Sequence, residues 1–188
     1  MNRFWGSFYA GMVIGLGGLV NVAVGGGWLG ALLFSLGLLV VLRQHMFLFT
    51  GAVCKFEAFK SPMRLLTILA LNLLGTGCVG LLGYSLVNRE YITQLCMTKL
   101  DKHPLIVIIG GIICGICIAI AVNCQQWYIT ILAVMCFILV GGEHCIANMF
   151  YFVCSGMVSM QAALVILLTI IGNIIGGLLM DKLEVQHG

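Results

Sequence analysis

One carboxylate constrains this chain more than any other residue. Between Lys102 and Asp181 the only residue with a formal charge is Glu143, set beside His144 in the otherwise apolar run Leu139-Val-Gly-Gly-Glu-His-Cys-Ile-Ala-Asn-Met-Phe-Tyr-Phe152. An ionisable residue at bilayer depth is costly and marks a functional site by default. Gly141 and Gly142 come immediately before it, and adjacent glycines are where a spanning helix can break and turn backbone groups toward a cavity. Trp127 to Val153 therefore reads as a discontinuous helix with His144 at the break.

The bilayer itself follows from composition. With 62% hydrophobic and 8% charged residues and a mean hydropathy of +1.16, no soluble core of 188 residues could hide the apolar surface. At ~20 residues per span there is room for about six helices and no extramembrane domain, so residues 1–188 read as one all-α polytopic transmembrane domain. The formal charge of +3 is too small and scattered for a nucleic-acid surface. The first apolar run continues to Val24 and is expected to be a retained span rather than a signal peptide. Nine cysteines are dispersed along apolar segments. The nearest approach to a motif, Cys114-Gly-Ile-Cys117, lacks a second pair or a nearby histidine, so the thiols read as packing residues. No metal or other cofactor is expected, nor an enzyme.

In chain order, spans are expected at about Trp5 to Val24, Trp28 to Leu42, Met63 to Val87, Pro104 to Val122, Trp127 to Val153 and Met160 to Met180. The second is interrupted by Arg43-Gln-His-Met-Phe-Leu-Phe-Thr-Gly51 before it can cross a bilayer, and Ala52 to Phe59 returns to mostly apolar character. It reads as a second discontinuous helix. Ser61-Pro62 and His103-Pro104 place proline at a first helical position, and Arg89 to His103 reads as the longest polar loop. Arg3, Lys55, Lys60, Arg64 and Lys182 fall on one side, against Arg89, Lys99 and Lys102 on the other, which predicts both termini in the cytoplasm.

The halves echo each other. Asn72-Leu-Leu-Gly75 in the third span matches Asn173-Ile-Ile-Gly176 in the sixth, and each half carries a broken helix in its middle. Three helices followed by three of the same design must be inverted, so the chain reads as two inverted repeats, about 5–87 and 104–180, with the site at the midplane between the breaks.

Candidate residues cluster there. A neutral His144 can donate from one ring nitrogen and accept at the other, which suits a small anion or its acid. Glu143 reads as a structural tie, accepting bonds from backbone or asparagine groups at the break. Thr50 is the counterpart hydroxyl in the first half. Phe34, Leu38 and Phe137 lie on the helices leading to the breaks and are candidate apolar constrictions. Lys99 is placed to draw anions to a vestibule.

Phe34-Ser-Leu-Gly-Leu, Leu48-Phe49-Thr50-Gly51, Gly142-Glu143-His144-Cys-Ile-Ala-Asn148-Met-Phe150 and Gly172-Asn173-Ile-Ile-Gly-Gly177 together resemble the formate/nitrite transporter family, which includes hydrosulfide and lactate carriers. The Glu-His-x-x-Ala-Asn-Met run is the specific part. The resemblance implies an aquaporin-like protomer of six helices assembled as a homopentamer in a cell membrane, with a pore in each subunit. It implies that His144 and Thr50 face the substrate, that Phe34, Leu38, Leu48, Phe49 and Phe137 form two constrictions, that Lys99 lines a vestibule, and that Glu143, Asn148 and Asn173 support the site. The sequence departs from the family at Phe47, where an acid is common, at Gly115, where an asparagine is common, and at Arg43 and His45.

The expected function is passage of small monovalent anions such as formate, nitrite or hydrosulfide, as anion plus proton. A neutral-solute channel of aquaporin type is the alternative, though no Asn-Pro-Ala motif occurs. A membrane redox or metal protein and a structural scaffold are further classes. The Gly11/Gly15/Gly18 face is expected to serve contacts between subunits.

Overall fold

Two prolines start long helices where the sequence places them, and polar caps start two more. The computed structural model describes residues 2–181. Asn2 accepts from the Phe4 amide at the head of α1 (Arg3–Ala23), and the two prolines open α4 (Pro62–Gly83) and α6 (Pro104–Cys124). Ser159 accepts from the Ala162 amide to start α9 (Met160–Leu179). These four helices are long and apolar enough to cross a membrane. Between them lie α2 (Gly27–Arg43), α3 (Phe49–Ala52), a 3-10 turn (Phe56–Lys60), α5 (Arg89–Leu100), α7 (Trp127–Leu139) and α8 (Cys145–Ser155). No strand occurs among the described residues. Leucines such as Leu66, Leu74, Leu81 and Leu132 face outward, as in a multi-pass membrane protein.

Small residues set the two closest helix pairs. A Cβ added to Gly75 would lie 2.1 Å from the Phe8 carbonyl oxygen, so α1 and α4 touch backbone to backbone; one added to Gly176 would lie 2.1 Å from the Ile112 oxygen, and α6 and α9 touch likewise. The expectation that the Gly11/Gly15/Gly18 face serves subunit contacts is corrected here. Those glycines meet Asn72, Val79 with Thr76, and Phe150 of the same chain, so the face is consumed inside the protomer.

Both expected breaks are present, and they are built alike. After α2, the Met46 amide bonds to the Val41 oxygen at 2.9 Å and the His45 amide to Leu42 at 3.2 Å; after α7, the Gly142 amide bonds to Phe137 at 2.6 Å and the Gly141 amide to Ile138 at 3.1 Å. Each is a Schellman closure with its turning residue in the left-handed region, His45 at φ 50 and Gly141 at φ 76. Each chain then extends for three residues and starts a new helix, at Phe49 and at Cys145.

One asparagine fastens each restart. Asn72 accepts from the Phe49 amide at 2.7 Å and donates to the Phe47 and Ser7 oxygens at 3.0 and 2.6 Å. Asn173 accepts from the Cys145 amide at 3.1 Å and donates to the Glu143 and Gly111 oxygens at 2.8 and 2.9 Å. Each side chain therefore ties a break to the neighbouring long helix and satisfies backbone groups that lipid could not.

Other boundaries differ from expectation. The segment Arg89 to His103, read as a loop, holds the twelve-residue α5. Asn88 caps it by accepting from the Glu90 and Tyr91 amides, and its buried face is Ile92, Cys96 and Lys99, a helical spacing disguised by a lysine in the third place. The return arm of the second span is shorter than expected. Ala52 to Phe59 contains only the end of α3 and part of an exposed 3-10 turn, because Lys55, Glu57 and Lys60 stay in solvent, the last two paired at 2.5 Å. α4 ends at Gly83, four residues before Val87. Arg3 stands 5.8 Å from the Phe47 ring and Asp181 accepts from the Phe56 amide, so the start of α1, the first break and the end of α9 share one face. Lys182 lies outside the described residues.

Replacing either asparagine by leucine orphans a buried amide and two carbonyls. At about 1–3 kcal/mol per orphaned group and about 2–4 °C per kcal/mol for a chain this size, the three groups are expected to lower the melting temperature of Asn72→Leu and of Asn173→Leu in detergent by about 6 °C or more. Asn123→Leu, whose one bond to the Met180 oxygen is 3.4 Å long, should barely move it.

Candidate functional site

The second break creates the site because its extended residues aim in opposite directions. Glu143 turns into the protein, its amide held by the Gly110 oxygen at 3.0 Å, while His144 caps α8. The His144 Nδ1 accepts from the Ala147 amide at 3.2 Å, and Nε2 stands 3.1 Å from Thr50 Oγ1. An Nδ1 that accepts leaves the ring proton on Nε2. The imidazole therefore donates to Thr50, and the threonine keeps its own hydroxyl proton for another acceptor. Both side chains are buried, and the Phe137 ring stacks on the imidazole at 6.1 Å between centroids and an interplanar angle of 21°.

Glu143 is fully buried and completely engaged. Oε2 accepts from Lys99 Nζ at 2.6 Å and Asn148 Nδ2 at 2.9 Å, and Oε1 accepts from Lys102 Nζ at 2.5 Å. Lys102 also donates to the Gly141 oxygen at 3.2 Å, at the turn itself. Two ammonium groups on one carboxylate leave one positive charge in excess. Asn148 donates further to Thr169 Oγ1 at 3.2 Å, while its own Oδ1 is buried without a protein partner.

Two cavities flank the His144–Thr50 pair. The first, about 260 Å³, is lined by Phe34, Phe137, His144, Asn148, Lys99 and Lys102 together with Tyr91, Leu95 and Tyr151. The second, about 250 Å³, is lined by Leu38, Leu48, Val41, Leu42, Arg64 and Ile68. Helix α2 passes both. Phe34 faces the first and Leu38 the second, and four residues of helix are ~6 Å. Phe34 and Leu38, almost fully buried, thus face the two cavities from positions one helical turn apart.

The residues singled out in the sequence fall into place unevenly. His144, Phe34, Phe137, Lys99 and Asn148 meet at the first cavity, and Leu38 and Leu48 at the second. Thr50 reaches the site through the histidine, while Phe49, also buried, offers its amide to Asn72 and lines neither cavity. Asn173 holds the Glu143 oxygen and the start of α8. Lys99 is not a solvated loop cation. It sits on α5 with 8% exposure, bonded to Glu143 and 5.5 Å from the Tyr151 ring. Lys102 was missed as a site residue, although its place three residues after Lys99 puts it within reach of the same target. The clamping role of Asn72 was visible only as half of a repeated motif.

Comparisons agree with this architecture. A solved structure described as an FNT family ion channel superposes with a TM-score of 0.83 at 20% identity, over 95% of this chain and 86% of that one. A pentameric formate channel with formate bound superposes with a TM-score of 0.77 at 20% identity, over 93% and 91%. Among curated proteins there is no match. At this identity the two structures establish the shared fold, and the sequence carries the assignment further: with the formate/nitrite transporter model matching residues 1–183, the chain belongs to the formate/nitrite transporter family.

Proposed function

We propose that this protein passes small monovalent anions, such as formate, nitrite or hydrosulfide, across a cell membrane, each accompanied by a proton. The observation that carries the reading is the buried His144–Thr50 hydrogen bond beside two cavities, one of which holds an excess positive charge. Lys99 and Lys102, with one positive charge left over after pairing to Glu143, draw the anion into the first cavity. A bare anion loses several kcal/mol on leaving water for the space between Phe34 and Phe137, whereas the conjugate acid avoids most of that loss. The free Thr50 hydroxyl donates to the passing molecule. His144 orients it from a fixed tautomer, because an added proton on Nδ1 would face the Ala147 amide and uncap α8. Bulk water supplies the proton.

The matching breaks and the matching asparagine bonds support two inverted repeats of three spans, with α2–α3 and α7–α8 as the interrupted second and fifth. The shared face of Arg3, Lys55, Lys60 and Arg64 supports cytoplasmic termini. A homopentamer is favoured by the resemblance to the pentameric formate channel. An exposed groove between α1 and α2, walled by Val13, Leu16, Val20, Leu33, Leu36 and Val40, is an apolar face for lipid or a neighbouring subunit. A neutral-solute channel would have no use for the lysines.

Proteoliposomes containing a pH dye and offered formate, nitrite and hydrosulfide in competition test the reading. Uptake should be nearly electroneutral and rise as external pH falls; large currents that ignore pH would overturn it. Thr50→Val keeps the shape and removes the donor. A hydrogen bond to a charged or charging group is worth about 1.5–3 kcal/mol, so flux should drop roughly 10- to 100-fold and recover in Thr50→Ser. Lys102→Gln leaves Glu143 paired with Lys99 and cancels the excess charge. Its uptake should be slowest relative to wild type at low salt and converge with it near 1 M, where the screening length is about 3 Å.

A further inference from the structure

Helix α8 carries His144 at its head, yet it is only eleven residues long and is separated from α7 by a glycine turn. Something must fix its height. α5 runs antiparallel beside it and touches it at three levels. At the near end Arg89 donates from Nη1 to the Cys154 oxygen and from Nη2 to the Ser155 oxygen, both at 2.7 Å, and its guanidinium lies 4.0 Å from the Tyr84 ring centroid. Midway, Cys96 Sγ donates to the Tyr151 oxygen at 3.3 Å. At the far end Lys99 holds Glu143, one residue before His144.

The Arg89 contact is matched to its task. Cys154 and Ser155 are the last residues of α8, so their carbonyls have no partner within the helix, and they form the negative end of its dipole. A planar fork satisfies both at once, which an ammonium cannot. Eleven residues of α8 and twelve of α5 span ~16 and ~18 Å. The two helices are thus nearly equal in length and tied at both ends.

We infer that α5 is a two-ended clamp on α8 and that Arg89 is a positioning residue, fixing the height at which α8 presents His144 to Thr50. The consequence for flux rests on the pore reading above; the consequence for the imidazole does not.

The test uses the full-length chain in lipid nanodiscs with ¹⁵N-labelled histidine, His144→Phe identifying the His144 signals. Wild type should show one Nε2-protonated form. Arg89→Gln should show mixed tautomers at His144 and at least a tenfold lower maximal flux with the half-saturating concentration unchanged, since the lysines are untouched. Arg89→Lys should fall between, and Lys60→Gln, far from the site, should match wild type. A single unshifted tautomer in folded Arg89→Gln overturns the clamp, whatever the flux does. Mixed tautomers with normal flux uphold the clamp and overturn the pore role of His144. If Arg89→Gln does not fold, Arg89→Lys and Tyr84→Leu decide: a shift of the His144 signals in both supports the clamp, and its absence in either overturns it.

Discussion

Every backbone group freed by a break in a membrane helix has to find its partner inside the protein, and the rest of this structure depends on that requirement. Two helices stop partway, at Arg43 and Leu139. Schellman closures absorb the carbonyls left behind, and Asn72 and Asn173 absorb the amides and carbonyls ahead. Because each asparagine also reaches the adjoining long helix, through Ser7 or Gly111, the breaks are welded to the frame. A short helix in such a setting can hold a side chain at a defined place without being long enough to be stable alone.

On that frame the chemistry is concentrated at one break. Glu143 is buried with three donors around it, and removing one partner from a buried ion pair typically costs about 3–5 kcal/mol. The cluster therefore fixes the loop as well as charging the cavity beside it. His144 inherits its orientation from two neighbours, the Ala147 amide and Thr50, so its ring is set by backbone geometry on one side and by the opposite break on the other.

Much of this was legible from residue types. A lone charged residue beside two glycines marked the second break, an interrupted apolar run marked the first, and prolines marked the starts of α4 and α6. What escaped did so for identifiable reasons. α5 was hidden because its inward face, Ile92, Cys96 and Lys99, ends in a lysine whose burial is possible only with Glu143, forty-four positions away in sequence. The turning role of His45 was hidden because a non-glycine residue seldom adopts a left-handed conformation. The glycines of α1 were assigned to the wrong neighbour, since small residues announce close contact without naming the partner.

The correspondence between the two breaks has a consequence for how the chain tolerates change. Turn for turn, His45 matches Gly141, Phe47 matches Glu143 and Leu48 matches His144, and Asn72 and Asn173 grasp each loop at the same atoms. The two asparagines hold both loops through backbone groups of those positions, and at the second break the Glu143 and His144 side chains add ties of their own. At Phe47 and Leu48 the side chains are apolar, while at Glu143 and His144 every polar side-chain atom has a partner. A backbone that repeats itself thus carries one break free to drift in sequence and one that is locked, so the two mouths of a single protomer can diverge in chemistry without disturbing the fold that joins them.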